Sequence, residues 1–129
     1  MAAIELRWDG DLAVLTIDTP ACPVNVFTRE AALDLLRLLP EARRGRALLF
    51  RSGKPRSFVN GVGLMMASAT RGADDVRRLT KDVRSAFAAL RDCPVPTVAA
   101  LRGSVFGCGL ELSLHCDHRV ACDVFDTEI

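Results

Sequence analysis

Apolar and polar positions change rhythm in short blocks along the chain. "IELRW" (4–8) and "LAVLTID" (12–18) are β-rich runs separated only by "DGD", which predicts two strands joined by a tight turn. "TPACPVNV" then breaks the pattern with two prolines. From Thr28, "TREAALDLLRLL" places Ala32, Leu35, Leu36 and Leu39 on one helical face, with Thr28 as N-cap and Pro40 as the stop. "RALLF" (46–50) predicts a buried strand, and "RSGKPRSFVNGVG" after it reads as a polar loop. A second helix runs from Asp74 to Arg91: Val76, Leu79, Val83, Phe87 and Leu90 recur at three- and four-residue steps, and Asp74 and Asp75 suit the positive end of its dipole. "CPVPTVAAL" predicts a strand after a proline-bounded entry, and "HRVAC" (118–122) predicts another.

The pattern reads less simply at "GSVFGCGLELSLHCD" (103–117). Leu110, Leu112 and Leu114 alternate with Glu111, Ser113 and His115, the spacing of a half-exposed strand whose glutamate faces water. A glutamate inside an apolar run raises a question of chemistry, because burying an ionised carboxylate is costly or raises its pKa. The order β-β-α-β-α-β, then this segment, then β, points to an α/β architecture. No repeat or linker marks a domain boundary.

Composition narrows the field. A chain of 129 residues, half of them apolar, is one domain able to bury a core. Lys plus Arg is 17 against 16 Asp plus Glu, a net charge of +1 that gives no pull toward nucleic acid or an anionic membrane. "EARRGR" (41–46) reads as a solvated turn. Five cysteines without CxxC spacing, no signal-peptide core and no apolar run approaching ~20 residues predict a cytoplasmic protein with free thiols. Cys116, His118 and Cys122 lack a fourth ligand for zinc, so no metal site is expected. "GCGLEL" is not a complete dinucleotide fingerprint.

Two separated motifs carry more. The first is Phe58, Val59, Asn60, Gly61, Val62, Gly63 and Leu64; the second runs from Pro96 to Ala121 and includes Gly103, Gly107, Gly109, Glu111, Leu112, Cys116, Asp117, Arg119 and Ala121. Together with "DLAVLTIDTPACPVNVF", they resemble the enoyl-CoA hydratase/isomerase, or crotonase, superfamily over essentially the whole chain. The resemblance implies a crotonase-like spiral of ββα repeats, of which residues 1–129 form the N-terminal part of a single domain, incomplete at its C-terminus. It also implies a strand leading into the first motif's loop and a helix at "GLELSLHC", which replaces the strand reading.

The chemistry implied is binding of an acyl-CoA thioester and stabilisation of an enolate-like oxyanion by two backbone N–H groups. In this sequence those donors are Val62 and Cys108, the latter opening a helix whose dipole favours an anion. Glu111 takes the place of a family acid/base with a raised pKa. Both donors carry larger side chains than the family pattern and are expected to narrow the pocket, while Gly63 stands where an aspartate is frequent. Phe58, Asn60, Gly61, Gly107 and Gly109 are expected around the substrate, and Lys54 and Arg56 are candidates for CoA phosphates as well as for a solvated loop. Cys108 has no partner base and reads as a packing thiol; His115 and Asp117 read as structural.

Family members run to about twice this length, and a later segment supplies a second acid/base. Glu128 lies a few residues short of that register and is not assigned the role. The expected consequences are exposed apolar surface and little hydration of crotonyl-CoA by this chain alone. A complementing C-terminal half is one way to complete the fold. A trimer or hexamer is expected of the completed fold, with no cofactor beyond the coenzyme A of the substrate. Alternatives are a decarboxylase or dehydratase acting on carrier-protein thioesters, and a non-catalytic half that binds acyl-CoA or completes a partner.

Overall fold

Strand β1 (Ile4–Asp9) folds back on β2 (Leu12–Ile17) as an antiparallel hairpin in register from Ile4↔Ile17 to Asp9↔Leu12. The computed structural model describes residues 1–63, 72–123 and 127–129. Leu64, the last residue of the first motif, and residues 124–126 of "DVFDTEI" lie outside the described residues. After the hairpin come α1 (Arg29–Ala42), β3 (Ala47–Ser52), β4 (Ser57–Asn60), α2 (Ala73–Arg91), β5 (Thr97–Leu101), β6 (Ser104–Phe106), α3 (Cys108–Leu114) and β7 (His118–Ala121).

Two sheets organise these elements. The larger has the order β1-β2-β3-β5-β7, parallel from β2 onward, and the smaller pairs β4 with β6, also parallel. β3-β4-α2 and β5-β6-α3 are therefore successive ββα units, each giving its first strand to the large sheet and its second to the small one. This is the spiral repeat that the resemblance implies. The alternation continues past α3, with β7 beside β5 and Glu128 bridging Ser104 on β6.

One face of the large sheet buries Ile4, Leu15, Ile17, Leu48, Phe50, Ala99 and Leu101, and Leu35, Leu38 and Leu39 of α1 join the same core. Thr28 caps α1 as predicted, its Oγ1 accepting the Ala31 N–H at 3.1 Å. Asp34 on α1 accepts the N–H groups of Ala3 and Ile4 at 2.8 and 3.2 Å, tying the helix to the start of β1. Helix α2 packs on α1 and buries Val83, Ala86, Phe87 and Leu90, with Phe87 5.1 Å from the Phe27 ring. Fully burying each such side chain is worth about 1.5–3 kcal/mol.

Two expectations are corrected. Pro40 does not stop α1: the helix runs on to Ala42, because a proline in the last turn forfeits one bond while its exposed ring meets solvent and Ala42 is buried. The "polar loop" after β3 contains β4, whose Ser57, Phe58 and Val59 are all buried. At "GLELSLHC" the helix implied by the resemblance is present, and it buries its leucines unevenly: Leu112 is fully buried, Leu110 is partly packed and Leu114 is 60% exposed. Val120 and Ile129 are also more than half exposed, at 62% and 65%.

The segment between β2 and α1 is held by Asn25, which is fully buried. Its Oδ1 accepts the Thr19 N–H at 2.8 Å, and its Nδ2 donates to Ser52 Oγ at 2.8 Å and lies 3.1 and 3.2 Å from the carbonyls of Phe58 and Ile17. Its backbone N–H donates to Ser57 Oγ at 3.0 Å, and its carbonyl accepts the Asn60 N–H at 2.8 Å. Asn25→Ala leaves several of these buried groups without partners, each a cost of about 1–3 kcal/mol. The expected outcome is a loss of about 3 kcal/mol or more in urea unfolding with an unchanged m-value. A loss below about 1 kcal/mol would show the network to be dispensable.

Candidate active site

The two motifs meet where the small sheet ends. Asn60 of β4 is paired with Phe106 of β6, so Gly61 and Gly107 leave the two strands side by side. Both take positive φ, 103° and 55°, a conformation that costs glycine little and other residues much. A Cβ built on Gly107 would lie 3.6 Å from Gly61 Cα, so the two turns touch. Val62 and Cys108 then follow in step, each two residues past the paired positions.

Their N–H groups are free for separate reasons. Phe27 bridges Val62 in parallel fashion, donating its N–H to the Gly61 carbonyl at 2.8 Å and accepting the Gly63 N–H at 3.3 Å. In a parallel bridge the residue so clamped on both sides leaves the opposing middle residue facing the other way. Val62 therefore turns its N–H away from Phe27. Cys108 is the first residue of α3 and has no carbonyl one turn behind it. Among the described residues no carbonyl or carboxylate accepts either N–H.

Gly109 sets the helix against the strand. A Cβ there would fall 2.2 Å from the Val59 carbonyl oxygen, so α3 sits on β4 at a distance that only glycine permits. Glu111 lies one turn past Cys108 on the same helix face, with its N–H bonded to the Gly107 carbonyl at 3.1 Å. Its side chain is exposed, and among the described residues its carboxylate has no hydrogen bond or salt bridge.

The Cys108 thiol points inward and belongs to the core, 7% exposed. Burial, reinforced by the nearby Glu111 charge, pushes its pKa up to about 12, while the amides of Cys108 and Phe27 pull weakly the other way. It is a neutral packing thiol, not a nucleophile. The expectation that this side chain narrows the pocket is corrected: it fills space beside Phe27. Val62 likewise packs against the core from a half-buried position.

Other candidates have other occupations. Phe58 is fully buried, edge-on to Phe50 at 6.0 Å, so it offers no surface to a substrate and the expectation that it contacts one is corrected. Lys54 does not stand free for a phosphate: its Nζ meets Asp18 at 2.6 Å. Arg56 is exposed, and its carbonyl accepts the Ser104 N–H at 3.2 Å. Both cations precede β4, a strand of roughly 13 Å away from the turn at Gly61. Glu128 pairs through its backbone, donating to the Gly103 carbonyl at 3.2 Å and accepting the Val105 N–H at 2.8 Å.

His115 and Asp117 are structural, as expected. His115 Nδ1 lies 2.8 Å from the Glu111 carbonyl, and Asp117 accepts the Thr97 N–H at 2.9 Å. Arg119 donates to the Ser113 and Cys116 carbonyls at 2.9 and 3.1 Å, fastening the end of α3. Sequence reasoning did not single out Asn25 or the Phe27 backbone, which orient the first donor loop. The available signal was one asparagine among the valines and phenylalanine of "PVNVF". Among the described residues no cluster of His, Cys, Asp and Glu is arranged to hold a metal, and no helix is long and apolar enough to cross a membrane.

Known proteins resemble this chain in sequence and in fold. Fatty acid oxidation complex subunit alpha of Shewanella loihica is 38% identical over 120 residues, covering 91% of this chain and 17% of that protein. The same subunit of Aliivibrio fischeri is 34% identical over 125 residues, covering 94% and 18%. Among solved structures, Pseudomonas aeruginosa DspI aligns with a TM-score of 0.85 at 30% identity over 94% of this chain and 50% of its own. An enoyl-CoA hydratase/carnithine racemase from Magnetospirillum magneticum gives 0.84 at 26% identity, over 94% and 46%. The chain thus spans under a fifth of these curated relatives and about half of these solved chains. The sequence matches the family described as Enoyl-CoA hydratase/isomerase from residue 8 to residue 125, through both glycine turns and α3, and the chain belongs to that family.

Proposed function

We propose that this chain supplies the thioester-binding part of a crotonase-type acyl-CoA enzyme that hydrates or isomerises an enoyl-CoA. One observation carries the reading: two glycine turns leave adjacent parallel strands in step, and each is followed by a backbone N–H that no carbonyl or carboxylate accepts among the described residues. When a nucleophile adds to the β-carbon of an enoyl thioester, or a proton leaves its α-carbon, negative charge develops on the thioester oxygen. Val62 and Cys108 donate to that oxygen. Each such fixed donor is typically worth about 10²–10³ in rate.

Glu111 is the acid/base that this chain contributes. Its unengaged carboxylate takes a proton from water or from the acyl carbon and returns it in the reverse sense. Coenzyme A enters as part of the substrate. The relatives named as fatty acid oxidation complex subunit alpha fit a fatty acyl group as the cargo.

In the completed fold, Glu111→Gln should lower crotonyl-CoA hydration by about 10²–10⁴ while the Kd for butyryl-CoA shifts less than about threefold. Unchanged turnover would remove Glu111 from the mechanism, and loss of butyryl-CoA binding by the unsubstituted chain would remove the thioester reading itself. Cys108→Pro tests the second donor, because the first position of a helix tolerates proline while losing its N–H. With the melting temperature retained, turnover should drop by about 10²–10³. Full activity in that variant would mean that the Cys108 amide does not face the reacting oxygen.

A further inference from the structure

Asn60 sits immediately before the first donor turn and is half-buried. Its Oδ1 lies 2.8 Å from Ser57 Oγ and 2.5 Å from Ser104 Oγ, so it bridges β4 and β6 from one face of the small sheet. Proton counting fixes which end of the amide points inward. Ser57 Oγ already accepts the Asn25 N–H at 3.0 Å, so its own proton needs an acceptor, and Asn60 Oδ1 is the one within reach. Nδ2 is left pointing outward with two protons, and among the described residues nothing accepts them. It is not among the buried polar atoms that lack a partner, and Asn60 itself is only half-buried. Phe106 is the cross-strand partner of Asn60, shares its face of the sheet and is 41% exposed.

A rigidly held amide donor and an apolar ring thus flank the exit of both donor strands. A ligand suited to this pair offers a carbonyl oxygen a few bonds from a methylene chain, close to the thioester. The pantetheine arm has that chemistry. We infer that Asn60 is a specificity-determining residue whose side-chain amide donates to an amide carbonyl of the pantetheine arm, with Phe106 against its methylenes; this rests on the acyl-thioester reading above. The arm is common to coenzyme A and to carrier-protein thioesters.

Asn60→Asp removes the donor, because a carboxylate still accepts from both serines while the outward N–H group gives way to a charged oxygen, whose effect the uncharged ligand controls for. Binding of butyryl-CoA and of uncharged S-butyryl-pantetheine is measured by calorimetry, alongside the side-chain NH₂ resonances of Asn60 in the unsubstituted chain. The expected result is movement of those resonances with both ligands, and about a tenfold or greater rise in both Kd values in the variant at unchanged melting temperature. A loss confined to butyryl-CoA would reflect repulsion of its phosphates and overturn the inference, as would unmoved resonances or equal affinities. If the unsubstituted chain binds neither ligand, the thioester reading fails first and takes the inference with it. Supporting results also separate the two sources of the arm: much tighter binding of butyryl-CoA than of butyryl-pantetheine marks the nucleotide form as its carrier, and equal binding marks the arm alone.

Discussion

Everything at the candidate site depends on how one buried asparagine is satisfied. Asn25 joins β2, β3 and β4 through its side chain and holds Ser57 and Asn60 through its backbone. A primary amide in a dry interior is tolerable only when its donors and acceptor are engaged, and here they are. Two residues later, Phe27 reaches the far side of the Gly61 turn and clamps Gly61 and Gly63. The direction of the Val62 N–H is therefore a consequence of the segment between β2 and α1, not of the turn by itself. Preorganisation of this kind is what gives a backbone donor its catalytic value, because the dipole need not be reoriented when charge appears.

The second donor arises by repetition. Because β3-β4-α2 and β5-β6-α3 are equivalent units, the ends of β4 and β6 are adjacent, and a glycine turn at each end delivers its following amide to one place. The close seat of Gly109 on Val59 then fixes where α3 begins. That helix has seven residues, so its macrodipole contributes little beside the N–H of its first residue. Direct donation carries the electrostatics, which is why valine and cysteine can stand at donor positions: backbone chemistry is indifferent to side chains that turn inward.

Much of this was legible in the sequence, unevenly and for identifiable reasons. The hairpin and both long helices followed from apolar spacing, since each buries a single face over many residues. β4 and β6, four and three residues long, are too short for a period to show, and β4 is embedded among glycine, proline and charge. α3 deceives in the opposite way: alternating leucines imitate a strand, yet only Leu112 is fully buried. The site residues emerged from motif resemblance, because glycine turns and backbone donors leave no hydrophobic signature. Phe58 shows the limit of that transfer, since a motif position need not face the ligand. Asn25 escaped because a polar residue's role depends on partners far apart in sequence, here Ser52 and the Phe58 carbonyl.

A glutamate in an apolar run suggested either a costly burial or a solvated bystander, and the structure separates the two ideas. Glu111 is exposed although the leucines on either side turn toward the core, Leu112 fully buried and Leu110 partly packed. Desolvation falls instead on its neighbour, the Cys108 thiol, held up to about 12 by burial and by the Glu111 charge. A thiolate there would place a second negative charge beside the very amides proposed to receive an oxyanion. Keeping the thiol protonated across the neutral range removes that repulsion and leaves Glu111 as the one ionisable side chain on that face of α3. The cysteine is therefore electrostatically silent, and on the proposed reading the negative charge its surroundings accept is the substrate's.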